Sequence, residues 1–206
     1  MKKRVNATRM ELLRFRRRST LARKGHKLLK DKLDGLIQRL LQIVKAHRHL
    51  SALLEGKLTE VFKKLVLSSA RISPAALYSA ALLPSCRSRV NISLQNIMGV
   101  KIPKYELKIE GDPVSYGFAD TSAELDRALT EFREILGDLV KLAEHNKAIL
   151  ELAAQIIEIK RRVNALEYIL IPELDEAVRY IRMKLSEIER STTVSLLKIK
   201  DIVRAG

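Results

Sequence analysis

The chain has no tryptophan, one cysteine, eight glycines and five prolines in 206 residues, and aromatics make up only 4% of it. So few aromatics make a poor recipe for a compact globular core. The single Cys86 excludes an internal disulfide framework and fits a reducing compartment. No uncharged run is long enough to cross a bilayer, since the longest, 72–86, is short and holds Pro74 and Pro84. The basic N-terminus is followed by no apolar run, so no secretory signal is expected. A glycine-rich turn carrying GK[ST] is also missing, which excludes a nucleotide hydrolase of the P-loop type. His47 and His49, two apart on a helix, face opposite sides; His47 reads as a polar seam residue and His49 as solvated. Carboxylates are scattered among cations at helical spacing, as Glu158 is with Arg162, and none stands alone in an apolar setting. No catalytic residue, cofactor or metal site is expected.

What is present is Leu, Lys, Arg, Glu and Ala, the composition of long helices. The net charge is +15 and is unevenly placed. Residues 1–48 hold 16 Lys and Arg against Glu11, Asp31 and Asp34, whereas the remaining 158 residues hold 23 against 21. Localised positive charge of this kind suits nucleic acid, a membrane surface or an acidic protein cavity.

Leu33, Ile37, Leu40, Val44, His47, Ser51, Leu54, Leu58, Val61 and Leu65 alternate four and three apart, the spacing of a coiled-coil seam. Extension back through Leu28, Leu21 and Leu12 predicts a helix over about 8–69, roughly 90 Å at ~1.5 Å per residue. A second seam runs Leu125, Leu129, Phe132, Leu136, Leu139, Ala143, Asn146, Leu150, Ala153, Ile157. Asp120, Thr121 and Ser122 precede it as caps, with Glu124 and Asp126 in its first turn, and the helix is expected to reach about residue 203. Between the two, Val90, Ile92 and Leu94, and then Tyr105, Leu107 and Ile109, alternate with polar neighbours around a break at Gly99. That pattern predicts a β-hairpin over 91–109, a small knob at one end of a rod. The expected fold is therefore all-α dominated: a long antiparallel two-helix coiled coil with a small central segment containing a β-hairpin, divided as 1–70, 71–120 and 121–206.

The stretch KRRVNALEYILIP, residues 160–172, is unusual. Ile149, Leu152, Ile156, Ile159, Val163, Leu166 and Leu170 form a second apolar stripe beside the first, so the helix is apolar on two faces. Beyond it come Leu174, Val178, Ile181, Leu185 and Ile188; the two successive steps of four, Leu166 to Leu170 to Leu174, skip the phase of the seam near Pro172, where the helix is expected to bend or rewind. Lys160, Arg161 and Arg162 spread charge over roughly half the circumference, a belt just ahead of that break.

The block 160–200, KRRVNALEYILIPELDEAVRYIRMKLSEIERSTTVSLLKIK, resembles the RRVNALE…IP…YI…L.E.ER…K.K pattern of the D subunit of the V-type and A-type rotary ATPases, the central-stalk rotor family. NATRMELLRFRRRSTLARKGHKLLKDKLDGL, residues 6–36, is similar to that family's N-terminal pattern, and IMGVKIP, residues 97–103, to its mid-chain element. Ala7, Phe15 and Ala177 stand where the family usually has Pro, Leu and Thr; these positions concern helix entry and packing.

The resemblance implies a non-catalytic shaft, part of the cytoplasmic sector at the membrane with no direct membrane insertion and no nucleic-acid partner. It would sit in a catalytic hexamer of alternating A and B subunits, bind the F subunit, and rest on the funnel-shaped subunit above the membrane ring. It would carry torque between ATP hydrolysis or synthesis in the hexamer and proton or sodium translocation through the ring. On that footing, contacts with the surrounding sleeve are expected at Lys160, Arg161, Arg162, Arg9, Arg14, Arg16 and Arg17. Contacts with partner subunits are expected at Ile149, Leu152, Ile156 and Ile159, and in the middle segment at Ile92, Leu94, Met98 and Ile102. The alternative, a basic coiled-coil module for nucleic acid, would set stacking aromatics among its cations, and the basic stretch has only Phe15.

Overall fold

The structure, a computed structural model, describes residues 6–75, 77–78, 85–114, 116–117 and 121–205. In order these are helix α1 (Arg9–Ser69), strands β1 (Arg87–Ile97) and β2 (Val100–Glu110), helix α2 (Ala123–Ala165), a π-helical turn (Leu166–Leu170) and helix α3 (Ile171–Ala205). Helices dominate, as their composition and periodicity predict, and the only strands among the described residues form one antiparallel hairpin. Thr8 caps α1, its Oγ1 accepting the Glu11 N–H at 3.2 Å. The Ser122 carbonyl accepts the Leu125 N–H at the start of α2; Asp120, expected beside it as a cap, lies outside the described residues. The chain divides into two units, Gly35–Ile156 and Met1–Asp34 with Ile157–Gly206, and α1 and α2 contribute to both.

In the middle unit, α1 and α2 pack antiparallel around Leu54, Val61, Ala128 and Ile135, flanked by Leu50, Leu58, Leu139 and Leu142. Leu54 and Val61 are one heptad apart, and so are Ala128 and Ile135, so successive layers of the seam repeat the same contact. Cross-helix ion pairs keep the same interval: Lys57 with Asp138, Lys64 with Glu131, and Arg71 with Glu124. Of the seam expected from α2, Leu125 is buried and Leu139 packs against the core, but other positions are rotated. Ala128 and Ile135 are buried, each one residue ahead of the expected Leu129 and Leu136; further along, Leu152 is buried while Leu150 and Ile157 are exposed.

Within this unit the hairpin lies along the helix pair, not beyond its end as the sequence suggested. Its turn, Met98-Gly99, has positive φ at both residues (53° and 86°), the two-residue turn that suits the twist of paired strands. The Met98 side chain rests on α1 at Gly35, where a Cβ would come within 2.6 Å of the Met98 methyl. Glycine at 35, costly in a helix by about 1 kcal/mol, therefore makes a notch for the hairpin tip. Val100 and Ile102 are buried, and the Tyr105 N–H donates to Glu144 Oε2 of α2 at 2.9 Å.

In the terminal unit, α1 again runs antiparallel to the C-terminal helices, but the contacts between them are largely polar. Arg9 pairs with Glu189 at 2.7 Å. Ser19, itself buried, donates to Asp175 Oδ1 at 2.9 Å, and Arg23 donates to Asp175 Oδ2 at 2.6 Å. His26 Nε2 lies 3.3 Å from Glu167 Oε2 in the π-turn. Ile159, Val163, Leu174 and Ile181 supply the buried apolar positions. The expected seam residues Leu21 and Leu28 are exposed instead. Their place on the inner face falls to small residues, Ser19 above all, which let the helices approach closely enough for direct hydrogen bonds.

The phase skip read near Pro172 takes the form of the π-turn. The Ile171 N–H bonds back five residues to the Leu166 carbonyl, absorbing one extra residue just before a proline that has no N–H to give. Register changes across it. From Arg9 to Arg23 on α1 is matched by an equal span from Glu189 to Asp175, whereas Arg23 to His26 faces the longer run from Asp175 to Glu167.

Candidate functional site

Among the described residues no group of three or more His, Cys, Asp or Glu side chains could hold a metal ion. Among the described residues the one markedly perturbed group is Tyr116: burial, and then its 2.6 Å hydrogen bond to Asp126, pushes the phenol well above its usual range, so it serves as a neutral donor at the start of α2. What the molecule offers a partner is surface.

The first surface is cationic. Lys160, Arg161 and Arg162 are all exposed near the end of α2. Arg162 donates to Glu158 one turn back, while Lys160 and Arg161 have no acidic partner among the described residues. At the other end of the terminal unit Arg9 is paired with Glu189 and Arg14 with Glu11 (3.2 Å), but Arg16 and Arg17 are in no ion pair among the described residues. Those two line a shallow groove with Leu13, Thr20, Leu21 and Lys24. The two cation groups are not brought together. With His26 opposite Glu167 in an antiparallel pair, Lys160 lies still further along α1, more than two helical turns beyond Arg17. Exposed pairs such as Arg162 with Glu158 are individually weak, about 0–1 kcal/mol, so the belt can trade partners at little cost.

The second surface is apolar and differs from the expected one. Leu152 and Ile159 are buried inside the chain, and Ile149 and Ile156 are half-buried, because this stripe, not its neighbour, forms the inner face of α2. The outward stripe carries Leu150 and Ile157. In the hairpin, Ile102 is likewise buried, packed on the face that its strand turns inward next to the tip. Met98 is half-exposed while touching Gly35, and Ile92 and Leu94 are each 68% exposed.

Two features escaped the sequence pattern. Met10, Leu13, Leu21 and Leu28 form an exposed apolar stripe on α1, which the small residues Ser19, Ala22 and Gly25 at helical spacing could have signalled by marking the true inner face. From Ser186 to Arg204, every residue of α3 is exposed, including Val194, Leu196, Leu197, Ile199, Ile202 and Val203. No helix among the described residues is long and apolar enough to cross a membrane.

The family model for the D subunit of ATP synthase matches residues 11–201 of the chain. A protein of Thermoanaerobacter sp. (strain X514), named as the D subunit of a V-type ATP synthase, is 42% identical over 204 residues, covering 98% of each chain. A protein of Clostridium botulinum (strain Langeland / NCTC 10281 / Type F) with the same name is 45% identical over 208 residues, covering 98% of this chain and 96% of its relative.

Proposed function

Because the chain belongs to the D-subunit family of ATP synthases, we propose that it is the central rotor shaft of a V- or A-type rotary ATPase, carrying torque between the A and B subunits of the catalytic hexamer and the ion-translocating ring. The shaft makes and breaks no bonds. It works by presenting unequal faces to the catalytic pairs around it, so that each pair is biased toward a different state by differential contact. In this reading it stands in the cytoplasmic sector, peripheral to the membrane, bound to the F subunit and seated on the funnel-shaped subunit above the ring.

The observation that carries the reading is likeness along essentially the whole chain to proteins of that name, in a fold of paired long helices. The sleeve contacts are assigned to Lys160, Arg161, Arg162, Arg9, Arg14, Arg16 and Arg17. The exposure of all seven supports this, as does the lack of an internal acid, among the described residues, for Lys160, Arg161, Arg16 and Arg17. Partner contacts are assigned to Ile92, Leu94 and Met98 in the hairpin and to Leu150 and Ile157 on the outward stripe of α2, with half-buried Ile149 and Ile156 at its margin.

The test is a complex isolated through its A subunit. Recovery of this chain with the A, B and F subunits is expected, and Arg161→Ala with Arg162→Ala should lower torque and ATP turnover of the assembled complex several-fold without releasing the chain. Unchanged turnover and torque would remove the sleeve assignment; failure to recover the chain would remove the shaft reading.

A further inference from the structure

The two outer edges of the hairpin are finished differently. The two-residue turn makes Ile97 and Val100 a hydrogen-bonded pair, so hydrogen bonding alternates from there, and Leu94↔Pro103, Ile92↔Tyr105 and Val90↔Leu107 turn their backbone groups outward. On β2 that outer edge is closed at Pro103 and Tyr105. Pro103 has no N–H, and the Tyr105 N–H is taken by Glu144. On β1 the corresponding backbone groups of Val90, Ile92 and Leu94 have no partner among the described residues, and their side chains are 45–68% exposed.

Edge strands are ordinarily blunted with lysine, proline, a bulge or a covering element. From Ser88 to Asn96, β1 has no lysine or proline, and its pairing with β2 is unbroken. It offers an apolar residue at every second position and a free ladder beside them. Arg87 and Arg89 project from the opposite face, and neither is in an ion pair among the described residues.

We propose that the outer edge of β1 receives an extended segment of another protein of the complex as a third strand, with apolar residues beside Val90, Ile92 and Leu94 and an acidic residue beside Arg87 or Arg89. Main-chain hydrogen bonds supply the affinity of such an addition and alternate side chains its specificity. The charge selects the occupant. β1 contains no Asp or Glu, so a second copy adding its own β1 would leave both arginines unanswered, whereas an acidic strand from a different chain answers them. The proposal rests on the reading of this chain as one part of a larger assembly.

Amide hydrogen exchange, compared between the isolated chain and the complex isolated through its A subunit, tests it. The Val90, Ile92 and Leu94 amides should slow about 100-fold or more on assembly, while those of Gln95 and Ile97, already in the β1–β2 ladder, change little. Ile92→Pro removes one outward N–H and should abolish most of that protection, and Ile92→Val should retain it. Because proline can also bend β1, Arg87→Glu with Arg89→Glu gives a second arm with the backbone untouched, and should weaken the protection about tenfold. If the chain co-purifies with the A and B subunits and these amides exchange as fast as in isolation, the edge proposal falls and the shaft reading stands. Protection in the isolated chain that grows with its concentration would assign the edge to a second copy and overturn it too. A chain that never co-purifies takes down both readings.

Discussion

The middle and terminal units solve the same problem, holding two antiparallel helices together, with different chemistry. Eleven of the fifteen buried apolar side chains among the described residues lie in the middle unit, and its layers and ion pairs repeat each heptad. The terminal unit buries four apolar side chains and relies on Ser19, Arg23, His26 and Arg9 reaching three carboxylates across the pair. An apolar seam is strong and tolerant of small shifts; a polar one is weaker, but each bond requires one register. The extra residue of the π-turn sits where that requirement is strictest, between Glu167 and Asp175.

The contrast can be broken most forcefully in the middle. Ile135→Ala leaves a hole against Leu54, Val61 and Ala128 and is expected to cost about 3 kcal/mol, read as a lower urea midpoint. Asp175→Ala in the terminal unit strands the buried Ser19 hydroxyl and the Arg23 head group, for about 1–2 kcal/mol by the same measurement. An equal or larger loss there than at Ile135 would mean that the polar contacts, not the apolar layers, dominate the chain's stability. Acid gives the smallest effect. Hydrogen bonding to Lys57 holds the Asp138 carboxyl below its ordinary value against a small cost of burial. A depressed carboxylate contributes stability that is complete above the unfolded value, near pH 4, and is lost as pH falls through the lowered one. Asp138→Asn should flatten the stability profile below about pH 4 by a few tenths of a kcal/mol, while the shape of the profile on the neutral side stays the same.

Periodicity made the elements legible, because Leu33 through Leu65 and Leu125 through Leu139 repeat at coiled-coil spacing and Val90 to Ile109 alternates around Gly99. It failed on which face is buried wherever two stripes satisfied the same period. At 149–159 both Ile149-Leu152-Ile156-Ile159 and Leu150-Ala153-Ile157 fit a helix, and the choice is made by the opposing helix, which no local pattern records. At Leu21 and Leu28 hydrophobicity pointed the wrong way, since a closely approaching polar seam prefers Ser19 and its small neighbours. The skipped phase at Leu166, Leu170 and Leu174 was readable as a defect near Pro172; its resolution by a wider turn depends on the carbonyl of Leu166 finding the Ile171 N–H. Among the expected contact residues, Leu152, Ile159 and Ile102 are buried within the chain itself: apolar residues advertise burial without saying whether their own chain provides it.

The last five turns of α3 carry an implication for how the protein is kept. From Ser186 to Arg204 every residue is exposed, and the one ion pair that ties this stretch to α1 among the described residues is Arg9 with Glu189; a helix of that length with so little support is marginal in water. In the isolated chain it should fray before the rest and be the first stretch nicked in limited proteolysis.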